Sequence, residues 1–382
     1  LFIKEKDKKT SQINHLDLYG LRNDKYEWLE NNSMQDAEYE EIKPESPFYF
    51  FVRRDTEKIK QYLNWKKINE IFPVNSVGIV TARDKLTIKW SEEELWNTVV
   101  SFSSMDPELA RRTFNLRRDT RDWKVEFAQK DLHDSGLDKR NILPIMYRPF
   151  DIRYTYFTGK SRGFQCMPRY DVMRNMFDGN IGLITPKQFK EQPGAFITDS
   201  IIAHKIVSAY DINYLFPLYI YPDPINKDLF SVSSTNKEPN ITPVVFTKLK
   251  SAYGEQPSPE EILYYIYGIF YSNIYREKYS EFLRVDFPRV PFTSDKDLFE
   301  EISKQGEKLA QLHLLKSPLL DNPVSRYQGA GNNDLVEKLE YNESAGHVVI
   351  NNDKYFDGIS PELWNYQIGG YQVLRKYLKL IQ

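Results

Sequence analysis

The sequence contains one cysteine, Cys166, in 382 residues. A single thiol excludes a disulfide framework and any multi-cysteine zinc site, and it suits a reducing compartment. Long apolar runs are missing as well. The two richest stretches, 214–221 and 262–275, are short or interrupted by Pro217, Ser272 and Asn273. Both fall below the roughly 18 apolar residues of a membrane span. The opening Leu-Phe-Ile-Lys-Glu-Lys does not read as a secretory leader, and the expectation is a chain entered mid-strand, a piece of something longer. Net charge is nearly absent, with 52 basic against 54 acidic residues, so no global field points to a polyanion partner. The five histidines, at positions 15, 133, 204, 313 and 347, are too scattered for a local metal motif. The phosphate loop GxxxxGK[ST], a strand-borne GxGxxG, HExxH and GxSxG are all missing. Asn322-Pro323-Val324-Ser325 resembles the Asn-Pro-Pro-aromatic motif of amino methyltransferases but lacks its second proline and its ring. The expectation is a chain that is not itself a catalyst and holds no cofactor or metal.

Aromatic residues, by contrast, are abundant: 23 Phe, 26 Tyr and 6 Trp, or 14% of the chain. Disordered chains are poor in rings, so this is a folded protein, and its length suggests two or three domains. Residues 1–54 read as strands and turns, with an acidic stretch at 36–45 best taken as a solvated face. Residues 55–71 look helical, and VGIVT at 77–81 looks like a buried strand. Ser91 and Glu94 form a capping box for a helix over 91–102. From 142 to about 249, short aromatic strands alternate with Gly, Pro and Asn, the pattern of a β-rich domain; ITPVVF at 241–246 is its last strand. Helices follow: one capped by Ser258 with Pro259 at its first position, one over 273–284, an amphipathic one over 296–315, and a last one from 360 to 380. A hairpin is expected between 336–341 and 347–350. The fold class is α+β.

The near-zero net charge conceals an asymmetry. Between Arg111 and Lys205, basic residues outnumber acidic ones 18 to 11. Within that window Lys160-Ser-Arg162-Gly-Phe-Gln165 and Lys187-Gln188-Phe-Lys190-Glu-Gln192 combine bases, amides and a ring on Gly/Pro-bounded loops. That composition suits DNA, because Lys and Arg neutralise phosphates while Arg and Gln reach base edges with paired hydrogen bonds. Arg162, Lys187, Gln188 and Lys190 are the candidate base readers, with Gln165 on the first loop; Lys160 and Lys205 suit phosphate contacts. A solvated loop is an equally weighted reading of each stretch. Phe164 and Phe189 are the rings placed to stack on bases. The pairs Arg111-Arg112 and Arg117-Arg118 track phosphate or merely solvate a helix, and a structural role is favoured for Asp151 with Arg153, for Arg169 and Arg174, and for Cys166 as a buried thiol.

The segments FPVNSVGIVTARD (72–84), YRPFDIRYTYF (147–157), MPRYDVM (167–173), YLFPLYIY (214–221), SPEEILYYIYGI (258–269), YREKYSEFLRVDFPRVPF (275–292) and WNYQIGGYQVL (364–374) occur in this order. Together they resemble the C-terminal target-recognition, or specificity, region of type ISP restriction–modification enzymes. The resemblance implies double-stranded DNA as partner, alongside upstream methyltransferase and translocase domains of the same polypeptide. It implies S-adenosylmethionine, ATP and Mg in the parent enzyme, none in this region, and a bacterial cytoplasmic setting with no membrane. PESPFYFFVRRD (44–55) resembles the end of the methyltransferase core. The implied layout is a methyltransferase-like tail over 1–55, a mostly helical connector over 56–140, a β-rich recognition lobe over 141–250 and a helical lobe with a hairpin over 251–382. A chemically different alternative is a docking module that couples motor and methyltransferase with little DNA contact. If Gln188 reads a base, Gln188→Ala relaxes discrimination at one base pair by about 1–3 kcal/mol. Competition binding over single-base variants checks this, and an equal loss on every duplex excludes base reading.

Overall fold

The computed structural model describes residue 6 and residues 11–53, 58–177, 179–189, 194–208, 211–222 and 237–380. Two compact units divide the chain at residue 60. In the first, strand Ile13–His15 pairs antiparallel with Glu40–Ile42, and helix Arg22–Asn31 lies between them in sequence. No residue of 11–53 is buried. The helix was not anticipated, because its apolar residues do not line one face. The aromatic run at 47–52 forms no strand.

The second unit is built on two four-stranded sheets. In one, Ile142–Arg148 and Asp151–Tyr156 form an antiparallel hairpin flanked by Ile88–Lys89 on one side and, in parallel, by Ile201–Ile202 on the other. In the other, Asn213–Pro217 lies between Ser76–Val77 and Gly182–Pro186, with Phe196–Thr198 at the edge. The 76–89 stretch thus supplies a strand to each sheet. Ile79, Ile145, Ile184, Phe196, Ile202 and Leu215 fill one core. A second core joins helices Glu92–Ser104 and Val125–Ser135 to the hairpin through Val99, Phe102, Trp123, Leu132, Tyr156 and Phe164. Ser91 caps the first of these helices by accepting from Glu94 N. Ser258 and Glu261 form the reciprocal capping box of helix Pro259–Tyr271.

Several elements differ from expectation. The 55–71 stretch is broken into Ile59–Leu63 and Ile68–Ile71 by strand Lys66–Lys67, which pairs with Arg289–Val290. ITPVVF starts helix Pro243–Tyr253 instead of forming a strand, since Pro243 at the first position favours helix initiation. The 273–284 helix is two pieces, Asn273–Lys278 and Ser280–Leu283. The last helix is likewise interrupted: Pro361–Trp364 is followed by the hairpin Gln367–Ile368 and Tyr371–Gln372, then Val373–Leu380. Gly369 permits the turn in this break, with φ +55 and a backbone so close that an added Cβ would lie 1.3 Å from Val207 O. The expected hairpin is present as Glu340–Asn342 paired with His347–Val349, inside a four-stranded sheet that also holds Arg326–Gly329 and Lys354–Asp357. Among the described residues, no helix is long and apolar enough to cross a membrane.

His313 ends helix Lys296–His313 inside the protein, stacked on Phe196 at 5.1 Å with Nδ1 2.6 Å from Tyr267 Oη. Burial pushes its imidazole down to about 4. An unfolded histidine takes up its proton below about pH 6.5, whereas the folded one stays neutral until about pH 4, so acid favours unfolding. Stability is expected to fall by roughly 3 kcal/mol from this group between pH 6.5 and 4. Urea denaturation across that range checks it, and His313→Gln should flatten the slope.

Candidate nucleic-acid interface

The 158–167 loop leaves the hairpin after Tyr156 and returns to the strand region through Met167, which exchanges backbone hydrogen bonds with Val80. It brings Lys160 and Arg162 to the surface. Lys160 Nζ lies 2.8 Å from Asp134 Oδ2 and is half exposed. Arg162 is exposed, donates to Arg121 O at 2.8 Å and lies over the Phe127 ring at 5.2 Å. The other two candidates on this loop turn inward. Gln165 is 2% exposed, and its amide donates to Thr155 Oγ1 at 2.8 Å in the core. Phe164 is fully buried, edge-on to Tyr156. A base could reach neither without opening the fold, so Phe164 is a core ring and not the expected stacking platform, and Gln165 belongs to the framework.

The second basic loop rests on the segment before Asp286. Gln188 Nε2 donates to Val285 O at 3.0 Å, and Phe189 N donates to Leu283 O at 2.7 Å. Lys187, exposed, lies 3.6 Å from Asp286, whose other oxygen holds Lys67 at 2.6 Å. These lysines help hold the Asp286 carboxyl below the usual range, against the effect of its partial burial. Phe189 is 7% exposed against Phe270, so it too is a core ring and not a stacking platform. Lys190 and Gln192 lie outside the described residues. Lys205 is half-buried and makes no side-chain hydrogen bond or ion pair among the described residues, while its carbonyl accepts from Arg148 at 2.9 Å.

A third basic element was only half seen in the sequence. Three arginines donate to backbone carbonyls of one loop: Arg111 to Arg117 O at 3.0 Å, Arg83 to Arg118 O at 2.9 Å and Arg162 to Arg121 O at 2.8 Å. Arg83 also lies 4.5 Å over Trp123. The loop so held exposes Arg117 and Arg118, which make no side-chain hydrogen bond or ion pair among the described residues. Asp119 is committed to Arg111, and Asp122 to Arg121. Burial and the Asp122 carboxylate push the Cys166 thiol up, opposed by Arg162 and Arg169 from its own stretch of chain and by Arg83 from a distant one. Arg83 was hidden inside the VTARD motif, where it reads as framework; its basic role appears only once the chain folds.

A family profile described as the Type ISP C-terminal specificity domain matches residues 70–380. The chain belongs to that family. Type ISP specificity domains are parts of restriction–modification enzymes. The fold is similar to that of three solved structures. One is a DrdV–DNA complex (TM-score 0.70, 21% identity, 94% of this chain and 37% of that chain). The second is a nuclease-deletion mutant of the type ISP enzyme LlaGI with a DNA substrate mimic (0.70, 18%, 98% and 30%). The third is the ATP-dependent type ISP enzyme LlaBIII bound to DNA (0.66, 18%, 89% and 23%). This chain thus spans between 23% and 37% of the length of those solved chains. No curated protein sequence matches it.

Within the type ISP domain, the motif residues Asp151 and Arg153 form a bidentate pair at 2.8 and 2.9 Å. The Asp151 side chain is fully buried, and Arg153 is clamped between Trp90 at 3.7 Å and Tyr147 at 4.4 Å. Arg174 donates to Tyr221 O at 2.8 Å. Among the described residues no cluster of His, Cys, Asp and Glu could hold a metal. Arg153→Met, which strands the buried Asp151 carboxylate, is expected to cost about 3–5 kcal/mol, measured as a lowered urea midpoint.

Proposed function

We propose that this chain recognises a specific sequence in double-stranded DNA, as the specificity region of a type ISP restriction–modification enzyme. The observation that carries the reading is the basic 117–121 loop, held by its carbonyls by Arg83, Arg111 and Arg162 so that Arg117 and Arg118 stay exposed beside the exposed Arg162. Exposed guanidinium groups on a rigid frame suit duplex recognition, since phosphate contacts set register and a few side chains read base edges. Membership of a family described as a specificity domain, and likeness in fold to enzymes solved on DNA, support it.

Arg162, Lys187 and Gln188 remain the proposed base readers, with Lys190 carried forward from the sequence. Gln188 would act through the part of its amide not engaged by Val285 O. Lys160, Lys205, Arg117 and Arg118 are the proposed phosphate contacts. Residues 141–250 form the proposed recognition lobe, 56–140 the connector, 251–382 the helical lobe and 1–55 the methyltransferase-like tail. We infer that the parent polypeptide methylates adenine with S-adenosylmethionine and cleaves unmodified DNA using ATP and Mg, in the bacterial cytoplasm. The target adenine would be flipped out of the duplex for that methylation. No residue of this chain is assigned to those steps: the Asn-Pro-Pro-aromatic and phosphate-loop sequences are not in it.

Gel-shift titration over salt tests the reading. The chain is expected to prefer one duplex and to weaken steeply with salt, by about 0.9 log units per log unit of salt for each phosphate neutralised. Replacing Lys160 and Lys205 together with alanine should lower that slope by about 2 without changing sequence preference. A chain with neither preference nor slope is a docking module instead.

A further inference from the structure

Resting on that DNA-recognition reading, we propose that Asp131 is a positioning residue for target discrimination, acting through Arg162 at the tip of the 158–167 loop. Asp131 sits on helix Val125–Ser135 and is 1% exposed. Its Oδ2 accepts from Thr158 Oγ1 at 2.7 Å and from Phe164 N at 2.8 Å. One oxygen therefore ties both arms of the loop to a helix. Gly163 lies against the same atom: a Cβ there would stand 2.1 Å from Oδ2. Any larger residue would drive the tip off its anchor.

The tip between those arms is closed by its own backbone. Arg162 N donates to Cys166 O at 2.8 Å, and Gly163 N to Gln165 O at 3.1 Å. Arg162 holds φ +58, a conformation that residues other than glycine keep only where their surroundings impose it. The surroundings here are plain. Trp123 Nε1 donates to Phe164 O at 3.2 Å, Gln165 Nε2 to Thr155 Oγ1 at 2.8 Å, and the Arg162 guanidinium rests on Arg121 O and the Phe127 ring. One turn along the same helix, Asp134 holds Lys160. Thr158, Phe164 and Gln165 are thus each anchored inward, so that the outward cation stands at one height.

A base-reading side chain must be placed to within about half an ångström, whereas a phosphate contact tolerates slack because it is governed by charge. Loosening the anchor should therefore damage discrimination and spare the salt-dependent part of binding. That split separates positioning from stability, because a general loss of folded protein lowers binding to every duplex by the same factor.

The test uses the full chain. Wild type is taken through selection from a randomised duplex library, and the preferred duplex and a scrambled one become the two probes. Asp131→Ala is expected to lower the ratio of the two affinities about tenfold, with the salt slope on the scrambled duplex unchanged. Asp131→Asn, which keeps an acceptor oxygen, should hold the ratio within about threefold of wild type. Arg162→Ala also lowers the ratio, and Asp131→Ala adds nothing in that background, the signature of one residue acting through the other. Should Asp131→Ala lack a cooperative thermal transition, Gly163→Ala takes its place, pressing on the same oxygen from the loop side. A wild type with no preferred duplex overturns the DNA reading and this proposal together. A wild type with a preference that both variants leave intact, or effects of Asp131→Ala and Arg162→Ala that simply add, overturns the positioning role and leaves the DNA reading standing.

Discussion

One buried carboxylate oxygen, Asp131 Oδ2, joins the basic 158–167 loop to the second core. Helix Val125–Ser135 packs on helix Glu92–Ser104 through Val125, Ala128 and Leu132 and carries Asp131 toward the loop. The loop then buries Phe164 between Phe102 and Tyr156. The apolar ring and the charged oxygen act on the same five residues, one by exclusion from water and the other by direction. Burial pushes the Asp131 carboxyl up, against the lowering effect of the Phe164 and Thr158 hydrogen bonds. The strength of those bonds is thus tied to how well the core around them stays closed.

The arginines divide into two uses that composition cannot tell apart. Arg83, Arg111 and Arg162 spend donors on carbonyl oxygens of the 117–121 loop, and Arg153 is fully engaged by Asp151 and two rings. Guanidinium groups suit this work, since a planar fork of five donors can satisfy backbone carbonyls and stack on an aromatic face at once. Arg117 and Arg118 do neither and point their charge outward. A basic segment of this kind is partly its own scaffold, so its charge count overstates the charge it offers to a partner.

Much of the fold was legible where local rules act alone. Ser91 and Ser258 mark helix starts because an N-cap is satisfied within four residues. The alternation in YRPFDIRYTYF gives a hairpin strand for the same local reason. Errors fell where a distant backbone decides. At Gly369 the chain turns at positive φ where a helix was expected, and only glycine fits because Val207 O occupies the space a side chain would need. Lys66–Lys67 is a strand only because Arg289–Val290, far along the chain, offers it hydrogen bonds. The site divides in the same way. Lys160, Arg162 and Lys187 are exposed as expected, whereas Gln165, Phe164 and Phe189 lie in the core.

The sequence by itself determined the class of this protein: α+β, nearly neutral overall with a basic middle, and bearing ordered motifs of a type ISP specificity region. Those properties depend on residue identity and order, which a linear text preserves. Only the tertiary structure decided which side of each loop residue meets solvent, and that Arg83, Arg111 and Arg162 hold one loop by its carbonyls. A loop of mixed bases, amides and rings has no period to read. Its inward and outward faces are assigned by partners such as Asp131 and Thr155, and those become neighbours only when the cores close.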